Sequence, residues 1–260
     1  MSTRIQAFES RPVPPLGGFN LTFLFLEVRR LLRNRRTLIF TVVLPLVFFF
    51  LFKSNKRLAS AGGAEFAAST MIGIAVYGAM IAATSGGAMV SVERALGWSR
   101  QLRLTPLRPP AYVAIKLLTA MFLGLVSVSS VVGVGIVSGI QMETGTLLLS
   151  ALLAWFGAFV FAAFGLFMGY MLPSENVMQI ISPVLAVFAF FGGLFLPVSL
   201  LPSAIQDLAP YMPTYGVAQI ARFPLLGGKF DWTWVLGAVL WTLAFAAGAT
   251  VLFRRDTRRT

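Results

Sequence analysis

The chain has 260 residues, of which 57% are hydrophobic and only 12% charged, and its net charge is +12. Soluble domains usually carry about 25% charged residues, so this composition predicts an integral membrane protein. Its long apolar runs are typical of membrane-spanning helices, because barrel strands alternate apolar and polar residues. The sequence has no Cys and no His, which excludes disulfides and thiolate metal sites and removes the commonest general base.

The basic residues lie in clusters beside the apolar runs. In that position Lys and Arg fix the topology of a membrane protein and contact anionic headgroups. The predicted partner of this charge is therefore membrane lipid and not nucleic acid. The first 17 residues are polar and Pro-rich, and they predict a disordered cytoplasmic tail.

Residues 18–36 predict an amphipathic helix, with apolar residues at spacings of three and four and a polar face opposite. The apolar face includes Leu21, Phe25, Leu31 and Leu32, and the polar face includes Glu27 and Arg30. A basic amphipathic helix beside a membrane span is expected to lie in the headgroup plane. The alternative is a cytoplasmic extension of the first span.

Six apolar stretches predict six transmembrane helices, so the expected fold is an all-α integral membrane protein with one transmembrane domain over residues 18–260. The stretches cover about residues 37–52, 66–91, 111–140, 146–172, 177–196 and 232–253. The fourth contains a GxxxG pattern at Gly165 and Gly169, which we interpret as helix packing within one subunit. Two consecutive glycines near the end of the fifth stretch and two prolines after it interrupt the chain, which predicts short, partly buried helices at the outer surface, through Met212.

The basic residues are distributed unequally between the two sides of the predicted bundle. Seven precede the first stretch, four lie between the second and third, and four follow the sixth, whereas the loops on the other side hold five. An excess of Lys and Arg marks the cytoplasmic side, so both termini are predicted to be cytoplasmic. Lys116 lies near the cytoplasmic end of the third span and is expected to extend its ammonium group to the headgroups.

The loop at residues 92–116 places four arginines and one acid between two apolar stretches. Its front half, Glu93 to Leu104, has no Pro and predicts a short cytoplasmic helix, which the prolines that follow would end. Glu93 itself has two interpretations. It forms a local ion pair with Arg94 or Arg100, or it belongs to a face that docks on another protein.

No acidic residue lies within any predicted span, and the sequence contains no Gly-Lys-Ser/Thr phosphate loop. Ion-coupled carriers usually place ionisable groups near the midplane of the membrane. The groups that self-powered transport or catalysis would use are therefore missing. We expect a membrane subunit that is not an enzyme, binds no cofactor itself, and is driven by another protein.

The segment from Val92 to Leu118 resembles the cytoplasmic loop between spans two and three of ABC-2 type ABC transporter permeases. The matching residues are Glu93, Arg94, Gly97, Leu102, Arg103, Thr105, Pro106 and Lys116. The segment from Leu194 to Arg222 also resembles the loop before the last span of that family. With the N-terminal helix and the six-span count, the resemblance covers nearly the whole chain.

This resemblance implies half of a transporter in a prokaryotic cytoplasmic membrane. Two permease copies, identical or related, would assemble with two separate ABC ATPase subunits, which would bind the ATP and Mg. Residues 93–104 would form the coupling helix, residues 18–36 the connecting helix, and residues 198–212 the outer re-entrant helices. The implied coupling residues are Glu93, Arg94, Gly97, Trp98, Arg100, Leu102, Arg103, Thr105 and Pro106. A second cytoplasmic turn contains Ser174, Glu175 and Asn176. Ser174 or Asn176 would cap the helix that follows this turn.

The cargo is inferred from apolar side chains on two of the predicted spans. An apolar wall is predicted from aromatic and Met side chains on the second and fifth spans, although packing or lipid contact is the alternative for the same residues. These residues are Met71, Tyr77, Phe188, Phe190, Phe191 and Phe195. The short chain resembles the drug and antibiotic exporters, so we expect efflux of hydrophobic compounds. Export of a lipid-linked glycan, or a scaffold or channel without an ATPase, are the alternatives.

Overall fold

The computed structural model describes residues 18–54, 56–97 and 109–258. Within these ranges the chain is almost entirely helical and has no strand, which confirms the all-α prediction. The helices are α1 (Leu21–Arg33), α2 (Arg35–Ser54), α3 (Lys56–Ala95), α4 (Pro109–Val137), α5 (Thr144–Met171), α6 (Val177–Phe191), α7 (Ser203–Leu208), α8 (Pro213–Leu226) and α9 (Trp232–Arg258), with 3₁₀ turns at Val198–Leu200 and Ala209–Tyr211.

Five helices of the described ranges are long and apolar enough to cross a membrane. Their apolar parts are Thr37–Ser54, Gly63–Ala95, Ala111–Val137, Thr144–Met171 and Trp232–Arg255. The fifth predicted stretch corresponds to α6, which has 15 residues and a length of about 22 Å. A hydrocarbon core is about 30 Å thick, so six spans remain a prediction.

Helix α6 ends before the predicted limit of its stretch at Leu196. Gly193 has a φ of 72°, a left-handed conformation that glycine adopts without a steric penalty. Its N–H donates to the carbonyl of Phe190, and the N–H of Leu194 donates to the carbonyl of Ala189. These bonds close the C-terminus of α6 and turn the chain toward the short helices that follow.

Helix α3 lies at the centre of the bundle and packs against α2, α4, α5 and α8. Its small residues let the neighbouring backbones approach closely. A Cβ on Gly87 would lie 2.7 Å from the carbonyl oxygen of Ala162, and one on Gly165 would lie 2.2 Å from that of Thr84. The pattern at Gly165 therefore packs α5 on α3 within one chain, which confirms that interpretation.

Helix α1 lies against the bundle with its polar side. Glu27 and Leu31 are buried, whereas Leu21, Phe25 and Leu32 form an exposed apolar stripe. Asn20 begins the helix, because its side-chain oxygen accepts the N–H of Thr22 at 2.7 Å. The exposed stripe is the feature that a helix in the headgroup plane would place in lipid, so that placement stays a prediction.

Arg222 of α8 fixes the segment that follows α6 to the bundle, at the end away from α1. Its guanidinium is buried and donates to the carbonyls of Ser69 at 3.1 Å and of Gly193 and Leu194 at 2.8 Å each. Gly73 makes room for this contact, since a Cβ there would lie 2.2 Å from Arg222 Nη2. One side chain thus joins α8, α3 and the end of α6.

The crossing of α3 and α5 gives a direct test of the fold. We expect Gly165→Ala to lower the free energy of unfolding by about 1–3 kcal/mol, because the added methyl group meets backbone atoms of Thr84 that have no room to move. Gly133→Ala on α4 is the matched control, since no atom lies within 4 Å of its Cβ position. Thermal unfolding of both variants in detergent measures the difference, and equal midpoints would contradict the packing described here.

Candidate functional site

Four charged side chains join α1, α3 and α4, and we call this group the ionic cluster: Glu27, Arg30, Glu93 and Lys116. Lys116 Nζ donates to Glu27 Oε2 and to Glu93 Oε1, both at 2.6 Å. Arg30 Nη1 donates to Glu93 Oε1 at 3.1 Å and lies 3.6 Å from Glu27 Oε1. The hydroxyl of Tyr112 donates to the other oxygen of Glu93. Three helices that are distant in sequence are thereby tied at one point.

The ionic cluster is buried on one side and open on the other. The side chains of Lys116 and Glu93 are each 3% exposed, whereas that of Arg30 is 45% exposed. Two acids and two bases give the cluster no formal net charge. Buried ions are tolerated when they are paired and hydrogen-bonded in this way.

Two expectations from the sequence are corrected by this geometry. Lys116 does not extend to the headgroups, because its ammonium group lies between two carboxylates inside the bundle. Glu93 is not on a docking face, because it is buried and both of its oxygens accept bonds within the chain. Among the described residues, its ion-pair partners are Lys116 and Arg30. Glu93 therefore anchors the loop that follows it.

Arg94, in the last turn of α3, contacts the C-terminal end of α5. Its Nη1 donates to the carbonyls of Gly169 at 3.2 Å and of Tyr170 at 3.0 Å, and its guanidinium lies 5.6 Å from the ring centre of Tyr170. The last carbonyls of a helix have no partner inside it, and a cation there also interacts favourably with the helix dipole. Arg94 thus connects the end of α3 with the turn that follows α5.

Helix α3 ends at Ala95, so Glu93 belongs to its last turn and does not begin a separate helix. Gly97 follows with a φ of 70°, and its N–H donates to the carbonyl of Arg94 at 3.0 Å. No described atom lies within 4 Å of its Cβ position. The described residues therefore assign Gly97 the role of turning the chain out of the helix. The other predicted coupling residues, Trp98, Arg100, Leu102, Arg103, Thr105 and Pro106, lie outside the described residues.

The second turn connects α5 with α6. The N–H of Asn176 donates to the carbonyl of Pro173 at 3.3 Å, and Ser174 and Glu175 lie between them. Asn176 is the last residue before α6, but its side chain makes no capping hydrogen bond. Because Arg94 bonds to the last turn of α5, this turn and the C-terminus of α3 lie at the same end of the bundle, which we call the basic end.

The six residues of the predicted cargo wall do not form one surface in the structure. Phe195 contacts Tyr77, Phe48 and Phe52, with ring centres 4.8, 5.1 and 5.5 Å apart. Phe188 packs on Phe164 instead, at 5.6 Å. The remaining members are spread as well: Met71 is buried in the core, Phe190 is exposed, and Phe191 packs on Phe190.

A cavity of about 340 Å³ lies between α2, α3 and α6, and Tyr77 is the predicted wall residue that lines it. Five lining residues carry hydroxyl groups and the other six are apolar; the five are Thr37, Thr41, Tyr77, Ser85 and Ser182. Such a mixture suits a small, mostly hydrophobic ligand. Of the predicted wall, the structure thus brings Tyr77 and Phe195 together and places Tyr77 at the cavity.

Comparison with known proteins shows the family of the chain. The family model for the ABC-2 type transporter matches residues 21–226, from the first residue of α1 to the last of α8. The chain belongs to the ABC-2 type transporter family. It is also similar to a Bacillus subtilis (strain 168) protein named "Putative transport permease YvfS", with 25% identity over 222 residues that cover 84% of this chain and 90% of that protein. As a member of this family the chain is a multi-pass membrane protein and a transport subunit, and ABC ATPases are the general partners of such permeases.

The sequence reasoning missed Glu27, Arg30 and Tyr112 as members of the site of this ABC-2 permease. One signal was available. Tyr112 precedes Lys116 by four residues, and Glu27 precedes Arg30 by three, so each pair shares a helix face. Two acids and one lysine beside apolar stretches were therefore candidates for mutual pairing, since an isolated charge is expensive there.

The burial difference within the ionic cluster gives a prediction. Lys116→Met removes the cation between two buried carboxylates and is expected to destabilise the protein by about 3–5 kcal/mol. Arg30→Gln removes a half-exposed, solvent-screened partner and is expected to cost no more than about 1 kcal/mol. Thermal unfolding in the same detergent compares the two variants. If Arg30→Gln is as destabilising as Lys116→Met, the ammonium group is not the centre of the cluster.

Proposed function

We propose that this chain is the permease subunit of an ATP-driven exporter that moves hydrophobic compounds out of the cell, powered by a separate ABC ATPase that binds the ATP and Mg. The observation that carries the proposal is the ionic cluster. It holds the two ends of the loop at residues 98–108, because Glu93 lies just before this loop and Lys116 lies two turns into the helix after it.

A loop with both ends fixed to the bundle transmits a push to the helices that carry it. Movement of the loop would displace α3 and α4 together, and α1 with them, since Lys116 bonds to Glu27 as well as Glu93. The close packing of α3 on α5 at Gly165 would carry the displacement further, because packed interiors move as rigid bodies. Arg94 bonds to the end of α5, so the turn at 173–176 would move with these helices as well.

The cavity between α2, α3 and α6 is the candidate cargo site. Helices α2 and α6 also expose apolar side chains, among them Phe40, Val47 and Val187, on surfaces that a second permease copy would cover. We propose a dimer of permeases with two ATPase subunits, in which movement of α3 changes access to this cavity. Its largely apolar lining supports a hydrophobic cargo.

The topology of this proposal places the basic end in the cytoplasm of a prokaryotic cell. The chain has no native Cys, so single Cys residues report their side cleanly. With Asn176→Cys we expect protection from an impermeant maleimide in intact cells, and with Gln141→Cys we expect labelling, because both residues are exposed and lie in loops at opposite ends of the bundle. Labelling at position 176 with protection at position 141 would show that the basic end faces outward, which contradicts the proposed topology and export.

Coupling is tested with Glu93→Gln, which keeps the shape of the side chain and removes its charge. A buried charge-assisted bond contributes about 1.5–3 kcal/mol. Because this bond is proposed to carry the coupled movement, its loss is placed on the activation free energy, so we expect ATP-driven efflux to fall by about tenfold or more. The tagged protein is purified from its own cells, the bound ATPase is identified by mass spectrometry, and the complex is assayed for dye transport in proteoliposomes.

Glu143→Gln is the matched control, since that carboxylate is exposed at the other end and bonds to Thr146. A monodisperse elution profile shows that each variant is folded. If no ABC ATPase is purified with the wild type, or if Glu93→Gln transports as well as Glu143→Gln, the coupling proposal is wrong. Transport of a lipid-linked glycan in place of the dye would change the cargo and leave the coupling intact.

A further inference from the structure

A second groove lies between α4, α5 and α9, and it shares no lining residue with the candidate cargo cavity. We call it the α4–α9 groove, and it encloses about 490 Å³. Apolar side chains dominate its lining, with two threonines, one tyrosine and one arginine. Along α9 the lining residues are Thr242, Ala246, Ala249, Thr250, Phe253 and Arg254.

The α4–α9 groove has the length of one leaflet. From Thr242 to Arg254 the helix rises about 18 Å, and from Phe159 to Tyr170 on α5 about 16 Å. Half of a hydrocarbon core is about 15 Å. The two walls run to the same end, because the ring centres of Tyr170 and Phe253 are 5.6 Å apart. One acyl chain of one leaflet therefore matches the groove.

The charged end of the groove lies at the basic end of the bundle. Arg254 lines the groove at this end, and Arg255 is exposed beside it. Val113 and Ala114 line the same region from the second turn of α4. No acidic residue is among the lining residues of the groove. A ligand that is apolar along its length and negative at one end complements these walls.

We propose that the α4–α9 groove binds one anionic phospholipid, with an acyl chain along α9 and the headgroup phosphate at Arg254. A zwitterionic lipid fits the apolar part equally well but gains less at the basic end, since a basic side chain near anionic headgroups contributes about 1 kcal/mol. The site requires neither a bound ATPase nor a transported compound. Its presence and the proposed export function are therefore tested separately.

The probes are dioleoylphosphatidylglycerol and dioleoylphosphatidylcholine, added to delipidated protein and counted by native mass spectrometry. We expect one molecule of phosphatidylglycerol to bind with at least fivefold preference, which corresponds to about 1 kcal/mol. Arg254→Gln is expected to remove that preference. Arg255→Gln is the matched control, because it removes the same charge from the adjacent residue outside the lining and should keep the preference.

A second pair of variants tests the apolar part. Ala246→Phe places a ring in the groove and is expected to abolish the tightly bound lipid, whereas Ala247→Phe, exposed and outside the lining, should not. Elution profiles show that the variants are folded and report their oligomeric state.

Three results would overturn the proposal. Equal binding of the two lipids to the wild type would show annular lipid only. Equal effects of Arg254→Gln and Arg255→Gln would place the headgroup elsewhere. Dissociation of an oligomer by Ala246→Phe alone would show that a protein copy covers the groove.

Discussion

The fold of this permease depends on one ammonium group between two carboxylates. Burying Lys116 alone would be costly, and so would burying Glu27 or Glu93 alone. Lys116 and Glu93 neutralise each other between α4 and α3, and α1 adds a second pair of opposite charges, Glu27 and Arg30. The basic end therefore needs α3 and α4 together, because removing either helix leaves an uncompensated charge in an apolar setting, and removing α1 takes away the second carboxylate that Lys116 bonds to.

The remainder of the bundle follows from how closely its helices approach. Small residues on α3 and α5 let backbone contact backbone, so that side-chain rearrangement has little room to absorb a shift. Polar contacts hold the two ends: the ionic cluster at the basic end and the guanidinium of Arg222 at the other. A rigid central pair of helices with fixed ends suits a subunit that is moved by another protein.

The sequence predicted the long helices well and the polar contacts poorly, for a physical reason. Length and uninterrupted apolar composition are local properties, and they locate α2, α4, α5 and α9 closely, whereas α3 begins at Lys56, before its predicted apolar stretch. The ionic cluster depends on residues 23, 63 and 89 positions apart, and nothing local indicates which charges meet. The end of α6 at Gly192–Gly193 was visible as a break, but the glycine pair alone did not show that the helix stops there.

Arg222 solves a hydrogen-bonding problem that the end of α6 creates for a membrane protein. Where α6 stops after about 22 Å, the carbonyls of Gly193 and Leu194 turn away from any helix, and hydrocarbon offers them no donor. The guanidinium supplies three N–H groups to them and to Ser69 from within the protein. It thus serves as an internal substitute for hydration, which would let this irregular backbone lie within hydrocarbon.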